Sequence, residues 1–198
     1  LFSGCLEVDS SALSEEEWLR WLLRNDPEVL VTAWSTQRLP EAFLERTNRL
    51  EYICNLTGSV RRIIPRAYLE SGVRVTNWGN AISPVVAEAG LMLILSCLRR
   101  LVDVNHRMRW TGSWREGAEN SRTLHGKRVG IHGFGRIARE LALLLEPFNV
   151  HLSAYSPRVP DRYFEEYGVR RCSNLEMLFA ENDIVVELAG LNASTRGS

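Results

Sequence analysis

The chain has 198 residues, enough for one large domain or two small ones, and 45% of them are hydrophobic and 24% charged. This composition is ordinary for a globular protein, and the longest apolar run, residues 87–98, is interrupted by Glu88 and is too short to cross a bilayer. The formal net charge is zero, which argues against nucleic acid or an anionic membrane as the main partner.

Short apolar strands alternate with amphipathic helices along the chain. Ser14 opens the first helix with a capping box, because Glu17 stands three residues further on. The further elements are predicted as a strand over residues 28–32, a helix over 39–46, a strand over 50–54, a helical turn at 67–71, a strand over 73–76, a long helix over 82–104, a strand over 127–132, a helix to about residue 145, a strand over 150–155, a helix near 175–179 and a strand over 183–187. This alternation predicts an α/β fold, with parallel sheets covered by helices on both faces.

The long helix over residues 82–104 is apolar around most of its circumference, so it is expected to be buried on several sides. The small polar stretch over residues 77–83 is typical of a domain boundary. We therefore predict two domains, residues 1–80 and residues 81–198. The segment over residues 107–120 is polar and shows no clear period, and the arginine pairs at residues 61–62 and 99–100 are expected to be solvated.

The four cysteines are far apart in the sequence, and no Cys-x-x-Cys or Cys/His ligand spacing occurs. Cys54 and Cys97 lie in apolar runs and are expected to be buried thiols. No signal peptide is visible. We therefore expect a reducing, cytoplasmic location and no structural metal.

Residues 127–138, KRVGIHGFGRIA, lead from a predicted strand through a glycine turn into a predicted helix. Gly133 permits the sharp turn, Gly135 lets a pyrophosphate approach the backbone because it has no Cβ, and Ala138 lets the helix pack on the strand. Amide groups at the helix start would then hold the phosphate charge. This context predicts a dinucleotide site, and the alternative is a helix-capping turn without a ligand.

The second strand of such a unit usually ends in an acid that binds the adenosine ribose hydroxyls. Ser156 stands at that position, so no carboxylate would repel a 2′-phosphate, and Arg158 can pair with one. These two residues favour NADP. The alternative is NAD, with Ser156 bonded to a ribose hydroxyl and Arg158 in water.

The order of motifs resembles that of the D-isomer-specific 2-hydroxyacid dehydrogenases, the family that includes phosphoglycerate dehydrogenase and glyoxylate/hydroxypyruvate reductase. The matching stretches are residues 50–60, 71–77, 86–88, 124–137, 182–185 and 194–197. The resemblance implies two domains around a cleft: a flavodoxin-like substrate domain, partial because its first β-α unit would precede Leu1, and a Rossmann-like cofactor domain, also partial.

The resemblance also assigns roles to individual positions. Backbone amides of the loop after the second strand hold the substrate carboxylate in the family, and the backbone at two positions beside the glycine turn reaches the pyrophosphate. Glu88 matches a family glutamate and is interpreted as a helix-start charge rather than a catalytic acid. The loop positions here are Thr57, Gly58, Ser59 and Val60, for which the alternative is a plain β-to-α connection, and the turn positions are Arg136 and Ile137.

Two departures from the family pattern affect the site. Where the family often has His and Pro after its fourth cofactor-domain strand, this chain has Leu188 and Gly190. The family's catalytic arginine, glutamate and histidine lie beyond the Thr-Arg-Gly motif, so no catalytic residue is expected in this chain and all three are expected downstream of Ser198. None of the four histidines shows a carboxylate at an obvious partner spacing, and each is expected to be structural or exposed: His106, His125, His132 and His151.

The resemblance therefore implies an NAD(P)-dependent oxidoreductase that exchanges a hydride with a small D-2-hydroxy acid or 2-keto acid, and these 198 residues alone are expected to be inactive. The alternative is a non-catalytic dinucleotide-binding corepressor or scaffold of the same fold. Family members usually dimerise through the long helix, so a homodimer is expected; burial against the chain's own sheet would explain the same apolar pattern.

Overall fold

The computed structural model describes residues 5–113, 120–191 and 195–197. The chain divides into two compact units, Leu1–Ile82 and Ser83–Ser198, and each contains one parallel sheet, which confirms the α/β class. The strands are β1 (Val29–Thr32), β2 (Tyr52–Asn55), β3 (Arg74–Thr76), β4 (Arg128–His132), β5 (His151–Tyr155), β6 (Arg170–Arg171) and β7 (Ile184–Glu187). The helices are α1 (Glu15–Asn25), α2 (Arg66–Glu70), α3 (Ser83–Leu98), α4 (Leu101–Thr111), α5 (Arg136–Leu145), α6 (Asp161–Glu166) and α7 (Leu175–Glu181), with short 3₁₀ turns at Ser10–Ala12, Glu41–Phe43 and Glu146–Phe148.

The first unit is a three-stranded sheet in the order β1-β2-β3. The predicted capping box opens α1: the Glu17 amide donates to Ser14 Oγ at 3.3 Å, and the Ser14 amide donates to Glu17 Oε2 at 2.8 Å. Buried Trp18, Leu22 and Ile53 belong to one apolar core. Because the three strands pair in parallel, their carboxyl ends lie at the same edge of the sheet, and the loops that follow them start there.

The helix predicted over residues 39–46 is wrong, since only the 3₁₀ turn Glu41–Phe43 forms. The backbone amide of Leu39 donates instead to the carbonyl of Ile63 at 2.8 Å, which ties this segment to a distant loop. The Asn48 side-chain amide donates to the carbonyls of Phe43 and Arg46, so a local side chain satisfies groups that a longer helix would have used.

The second unit is a four-stranded parallel sheet in the order β6-β5-β4-β7. Val129 of β4 packs with Leu141 of α5 on one side. Gly130 leaves no room for a Cβ beside Leu178 and Asn182 on the other side, where α7 lies. Helices therefore cover both faces of this sheet, as predicted, whereas the short elements α6 and β6 were not predicted.

The long helix predicted over residues 82–104 is two helices, α3 and α4, separated at Arg100. Arg100 adopts a left-handed conformation with φ 50°, and its guanidinium bonds to Asp103 in the first turn of α4. The carbonyl of Leu98 accepts from the Arg122 amide at 2.8 Å rather than from a following helical turn. A chain segment returning from residue 122 therefore takes the acceptor that a continuous helix would need.

The prediction that this helix is buried on several sides is also wrong. Only three residues of α3 are buried and none of α4. The exposed large apolar residues of α3 include Val85, Val86, Met92 and Leu93. The helix packs mainly on α5, where Gly90 lies against Leu141.

The cysteines differ from their predicted burial. Cys54 is partly exposed, Cys97 is exposed on α3, and Cys172 is the buried thiol. The irregular segment predicted over residues 107–120 begins inside α4, and its residues 114–119 lie outside the described part of the chain. Within the described residues, no helix is both long and apolar enough to cross a membrane.

An ion pair between Arg128 and Asp183 joins the starts of β4 and β7. The Asp183 carboxylate accepts from the Arg128 side chain and backbone amide, and these hydrogen bonds lower its pKa from 3.8 to about 2. A lowered pKa contributes stability above the ordinary pKa, and that contribution is lost as the pH falls from about 4 towards 2.

We expect Asp183→Asn to lower the thermal unfolding midpoint at neutral pH, because the variant loses the ion pair with Arg128. The gap between the wild type and the variant should then close between pH 4 and pH 2, measured by circular dichroism during heating. Glu165→Gln, on exposed α6, is the control and should show no such gap. A gap that persists unchanged at pH 2 would contradict the assignment.

Candidate functional site

The loop after β2 leaves four backbone amides without a hydrogen-bond partner among the described residues. The amide groups of Thr57, Gly58, Ser59 and Val60 donate no hydrogen bond to any described residue. The carbonyl groups of the same loop are engaged: the Asn55 side chain and the Trp78 amide donate to the Thr57 carbonyl at 3.0 Å and 3.3 Å. Unpaired N–H groups beside satisfied carbonyls form a concavity that favours an anion.

Buried polar side chains hold this loop in place. Asn55, the last residue of β2, accepts from Thr32 Oγ1 at 2.9 Å and donates to Thr57 Oγ1 at 2.7 Å, and all three residues are buried. Asn77, after β3, donates to the Gly58 carbonyl. Sequence analysis missed Asn55, Thr32 and Asn77, although polar residues at the ends of three apolar strands were a usable signal.

The glycine turn follows β4 as predicted, and its two glycines have different roles. Gly133 has φ 89°, and a Cβ there would meet Ala189 Cα and N at 2.6 Å, so this position is closed by the backbone of the next loop. Gly135 has φ −79°, and a Cβ there would meet no atom within 4 Å. The open space over Gly135 fits a ligand, whereas Gly133 serves the packing of the turn.

The start of α5 offers unpaired donors beside this open space. The amides of Gly135, Arg136 and Ile137 donate to no described residue, and α5 has no side-chain cap. Ala138 is buried against the sheet, as the motif predicts. Buried Phe134, which sequence analysis did not single out, packs against Phe164 of α6 with tilted rings whose centroids are 4.9 Å apart. These features together fit a phosphate group at the helix N-terminus.

The loop after β5 is organised by Arg171 rather than by Arg158. The Arg171 guanidinium donates to the carbonyls of Ser156, Pro157 and Val159 and pairs with Asp161. Arg158 is exposed and forms no hydrogen bond or ion pair with the described residues. Sequence analysis did not identify Arg171, because β6, the strand that contains it, is only two residues long.

A cavity of about 340 Å³ opens beside this loop. Its lining combines the end of β5 with the residues after β6: Tyr155, Pro157, Arg171, Cys172 and Ser173. The arginine that lines this cavity, Arg171, is paired with Asp161, and Arg158 is not among the lining residues.

His132 has a carboxylate partner, contrary to the sequence prediction. His132 Nδ1 lies 2.6 Å from Glu187 Oε2, and the His132 ring is buried. Parallel pairing of β4 with β7 places the two residues opposite each other at the strand ends. The other carboxylate oxygen of Glu187 accepts from the Ala189 amide at 2.7 Å. Glu187 therefore joins the end of β4 to the loop after β7, a contact that 55 residues of separation hid from sequence analysis.

That loop is held at several points. The Leu188 amide donates to the His132 carbonyl at 2.9 Å, and the Thr195 hydroxyl donates to the Gly190 carbonyl at 2.8 Å. Leu188 packs against the core instead of offering the imidazole that the family often has. Thr195 belongs to the Thr-Arg-Gly motif, whose preceding residue Ser194 lies outside the described residues.

The interpretation of Glu88 as a helix-start charge is wrong. The residue lies in the second turn of α3, beyond the reach of the helix N-terminal dipole, and is exposed. Each unit therefore has its own amide-rich segment, residues 57–60 in the first unit and residues 135–137 in the second, and each segment follows the carboxyl end of a parallel strand.

Known proteins match this chain in sequence and in fold. The family described as "D-isomer specific 2-hydroxyacid dehydrogenase, NAD binding domain" matches residues 91–198, more than half of the chain. Hydroxypyruvate reductase of Thermotoga maritima is 29% identical over 192 residues, which cover 96% of this chain and 60% of that protein. Glyoxylate/hydroxypyruvate reductase A of Arabidopsis thaliana is 32% identical over 149 residues, which cover 74% of this chain and 46% of that protein.

The fold has matches among solved structures. D-mandelate dehydrogenase of Rhodotorula graminis superposes with a TM-score of 0.76 at 20% identity, over 94% of this chain and 59% of that one. The chain thus spans about half to three fifths of the length of these relatives. Because the family model matches more than half of the chain, with the glycine turn inside the matched region, the chain belongs to the D-isomer-specific 2-hydroxyacid dehydrogenase family.

Proposed function

We propose that the protein containing this chain is a nicotinamide-dinucleotide-dependent oxidoreductase that exchanges a hydride with a D-2-hydroxy acid or 2-keto acid. The observation that carries the proposal is the turn at Gly135, where open space meets three unpaired amides at the start of α5. A pyrophosphate fits there because its charge would replace water on donors that have no partner among the described residues. When bound, the nicotinamide supplies or accepts the hydride.

The first unit is proposed as the substrate domain and the second as the cofactor domain. The amides of Thr57, Gly58, Ser59 and Val60 would bind the substrate carboxylate, oriented by the fixed carbonyls of the same loop. The amides of Gly135, Arg136 and Ile137 would bind the pyrophosphate. Both tasks are binding and orientation, which lower the entropic barrier to reaction without proton transfer.

The proton-transfer group is proposed to lie outside these 198 residues. The His132 ring is buried and bonded to Glu187, which favours a structural role for this histidine. The other histidines, His106, His125 and His151, form no hydrogen bond with a carboxylate of the described residues. The catalytic histidine, glutamate and arginine are therefore still expected downstream of Ser198.

The proposal is tested by measuring binding and turnover together. We expect the 198 residues to bind NADH saturably in a fluorescence titration, yet to show no steady NADH oxidation with glyoxylate, hydroxypyruvate or pyruvate, since general acid–base catalysis contributes about 10²–10⁴-fold. A longer protein that supplies the three downstream residues should turn over one of these acids. Failure to bind both NADH and NADPH would overturn the proposal, and binding without turnover by the longer protein would favour a corepressor or scaffold.

We further propose a preference for NADP, carried by Arg158. This guanidinium is exposed, has no partner among the described residues and follows the loop position Ser156, which lacks a carboxylate. A charge-assisted contact to a 2′-phosphate contributes roughly 1.5–3 kcal/mol. Arg171 is the weaker candidate because Asp161 already neutralises it.

Arg158→Ala should raise the dissociation constant of NADPH about 10- to 100-fold and leave that of NADH unchanged. The measurement is the ratio of the two dissociation constants. Arg109→Ala, which removes an exposed arginine from α4, is the matched control and should leave the ratio as it is. An unchanged ratio in Arg158→Ala would remove the case for NADP.

The protein is proposed to be a homodimer in the cytoplasm. The exposed apolar residues Val85, Val86, Met92 and Leu93 of α3 support a second copy as the covering surface. The four free cysteines support a reducing location.

A further inference from the structure

Two exposed tryptophans of the first unit pack against each other. The rings of Trp34 and Trp78 meet edge to face, with centroids 6.3 Å apart and planes inclined by 84°. Trp34 is 69% exposed and Trp78 is 36% exposed. Large aromatic side chains that contact each other on a surface, instead of entering the core, are uncommon in the absence of a ligand or partner.

The pair lies over the end of β2. Trp34 follows β1 by two residues and Trp78 follows β3 by two residues. Because β1 and β3 lie on either side of β2, their ends are roughly 9–10 Å apart. The shorter distance between ring centroids shows that the two side chains converge towards each other, from the strands on either side of β2.

Both tryptophans are attached through their backbones to the surroundings of this loop. The Trp78 amide donates to the Thr57 carbonyl at 3.3 Å, and the Arg62 guanidinium donates to the Trp34 carbonyl at 3.2 Å. Fixed backbones with exposed rings produce a preorganised aromatic surface beside the unpaired amides. Preorganised surfaces lose little entropy on binding.

We propose that the Trp34–Trp78 pair binds the side chain of the substrate, and that the substrate is a 2-keto acid with a planar aromatic side chain. The inference rests on the proposed function, in which the carboxylate sits on the amides of residues 57–60. A carboxylate held there places the rest of a small molecule within reach of the two indoles. An aromatic ring replaces water on both indoles. The hydrogen of glyoxylate and the methyl group of pyruvate are too small to do so, and the indoles stay hydrated.

The test compares two acids that differ in the aromatic ring. With saturating NADH present, calorimetry should show phenylpyruvate binding about 10-fold more tightly than pyruvate. Trp34→Leu should remove this difference by weakening phenylpyruvate alone, and Trp34→Phe should restore most of it. Trp110→Leu is the matched control, since Trp110 is 76% exposed on α4 outside the first unit, and should leave both affinities unchanged.

Each contrary result has its own meaning. Equal affinities for the two acids in the wild type, or an equal loss of both in Trp34→Leu, would overturn the aromatic substrate class and leave the proposed function standing. Binding of NADH but of neither acid would overturn the carboxylate loop together with this inference. A change in sedimentation of Trp34→Leu, with unchanged acid binding, would assign the pair to a contact between copies and also overturn the proposal.

Discussion

Replacing Gly135 with valine is expected to weaken NADH binding by about 100-fold or more while the chain stays folded. The new side chain would enter the open space over the turn and separate a pyrophosphate from the amides of Arg136 and Ile137, each of which contributes roughly 1.5–3 kcal/mol to a charged acceptor. The backbone at Gly135, with φ −79° and ψ −163°, is accessible to any residue. The thermal unfolding midpoint should therefore stay close to that of the wild type.

The measurement is an NADH titration accompanied by a melting curve. Gly58→Val is the matched control, because that glycine also faces open space but lies in the first unit, and it should bind NADH normally. Gly135→Ala should give a smaller loss, since only one methyl group enters the space. Unchanged NADH affinity in Gly135→Val would place the cofactor elsewhere.

Gly133→Ala, in contrast to Gly135→Val, is expected to lower the stability of the fold. A Cβ at this position collides with the backbone of Ala189 at 2.6 Å, and the positive φ of 89° is strained for any residue with a Cβ. The two effects together should cost roughly 2–5 kcal/mol of the free energy of unfolding. Denaturant unfolding followed by circular dichroism measures this cost.

Gly126→Ala separates the two causes. Gly126 also has a positive φ, 70°, but a Cβ there meets nothing within 4 Å, so only backbone strain of about 1–2 kcal/mol is expected. Equal losses in Gly126→Ala and Gly133→Ala would show that contact with Ala189 contributes nothing, and the interpretation of Gly133 as a packing position would be wrong.

Local patterns predicted the parts of the fold that depend on local interactions. The capping box at Ser14 and the turn at Gly133 were visible because their residues stand within a few positions of one another. The alternation of strands and helices predicted two parallel sheets for the same reason. The helix predicted over residues 39–46 is only a 3₁₀ turn, and the Asn48 side chain donates to the carbonyls of Phe43 and Arg46, which a longer helix would have used.

The parts of the site that depend on strand order stayed hidden. His132 and Glu187 each end a strand, but only the placement of β4 beside β7 makes them partners. Similarly, Arg171 reaches the Ser156 loop because β6 pairs with β5. Local sequence patterns predict where a strand ends, but they do not predict which strands lie beside it, because sheet order is decided by packing between distant segments.

The two edges of the second sheet have opposite characters. The β6 edge consists of two arginines, and a short charged strand offers a poor template for further pairing. The β7 edge consists of Ile184, Val185, Val186 and Glu187, and among the described strands β7 pairs with β4 alone. Sheet growth, whether by an added strand or by unwanted aggregation at high concentration, is therefore directional: it should start from the β7 side, and the β6 side should resist it.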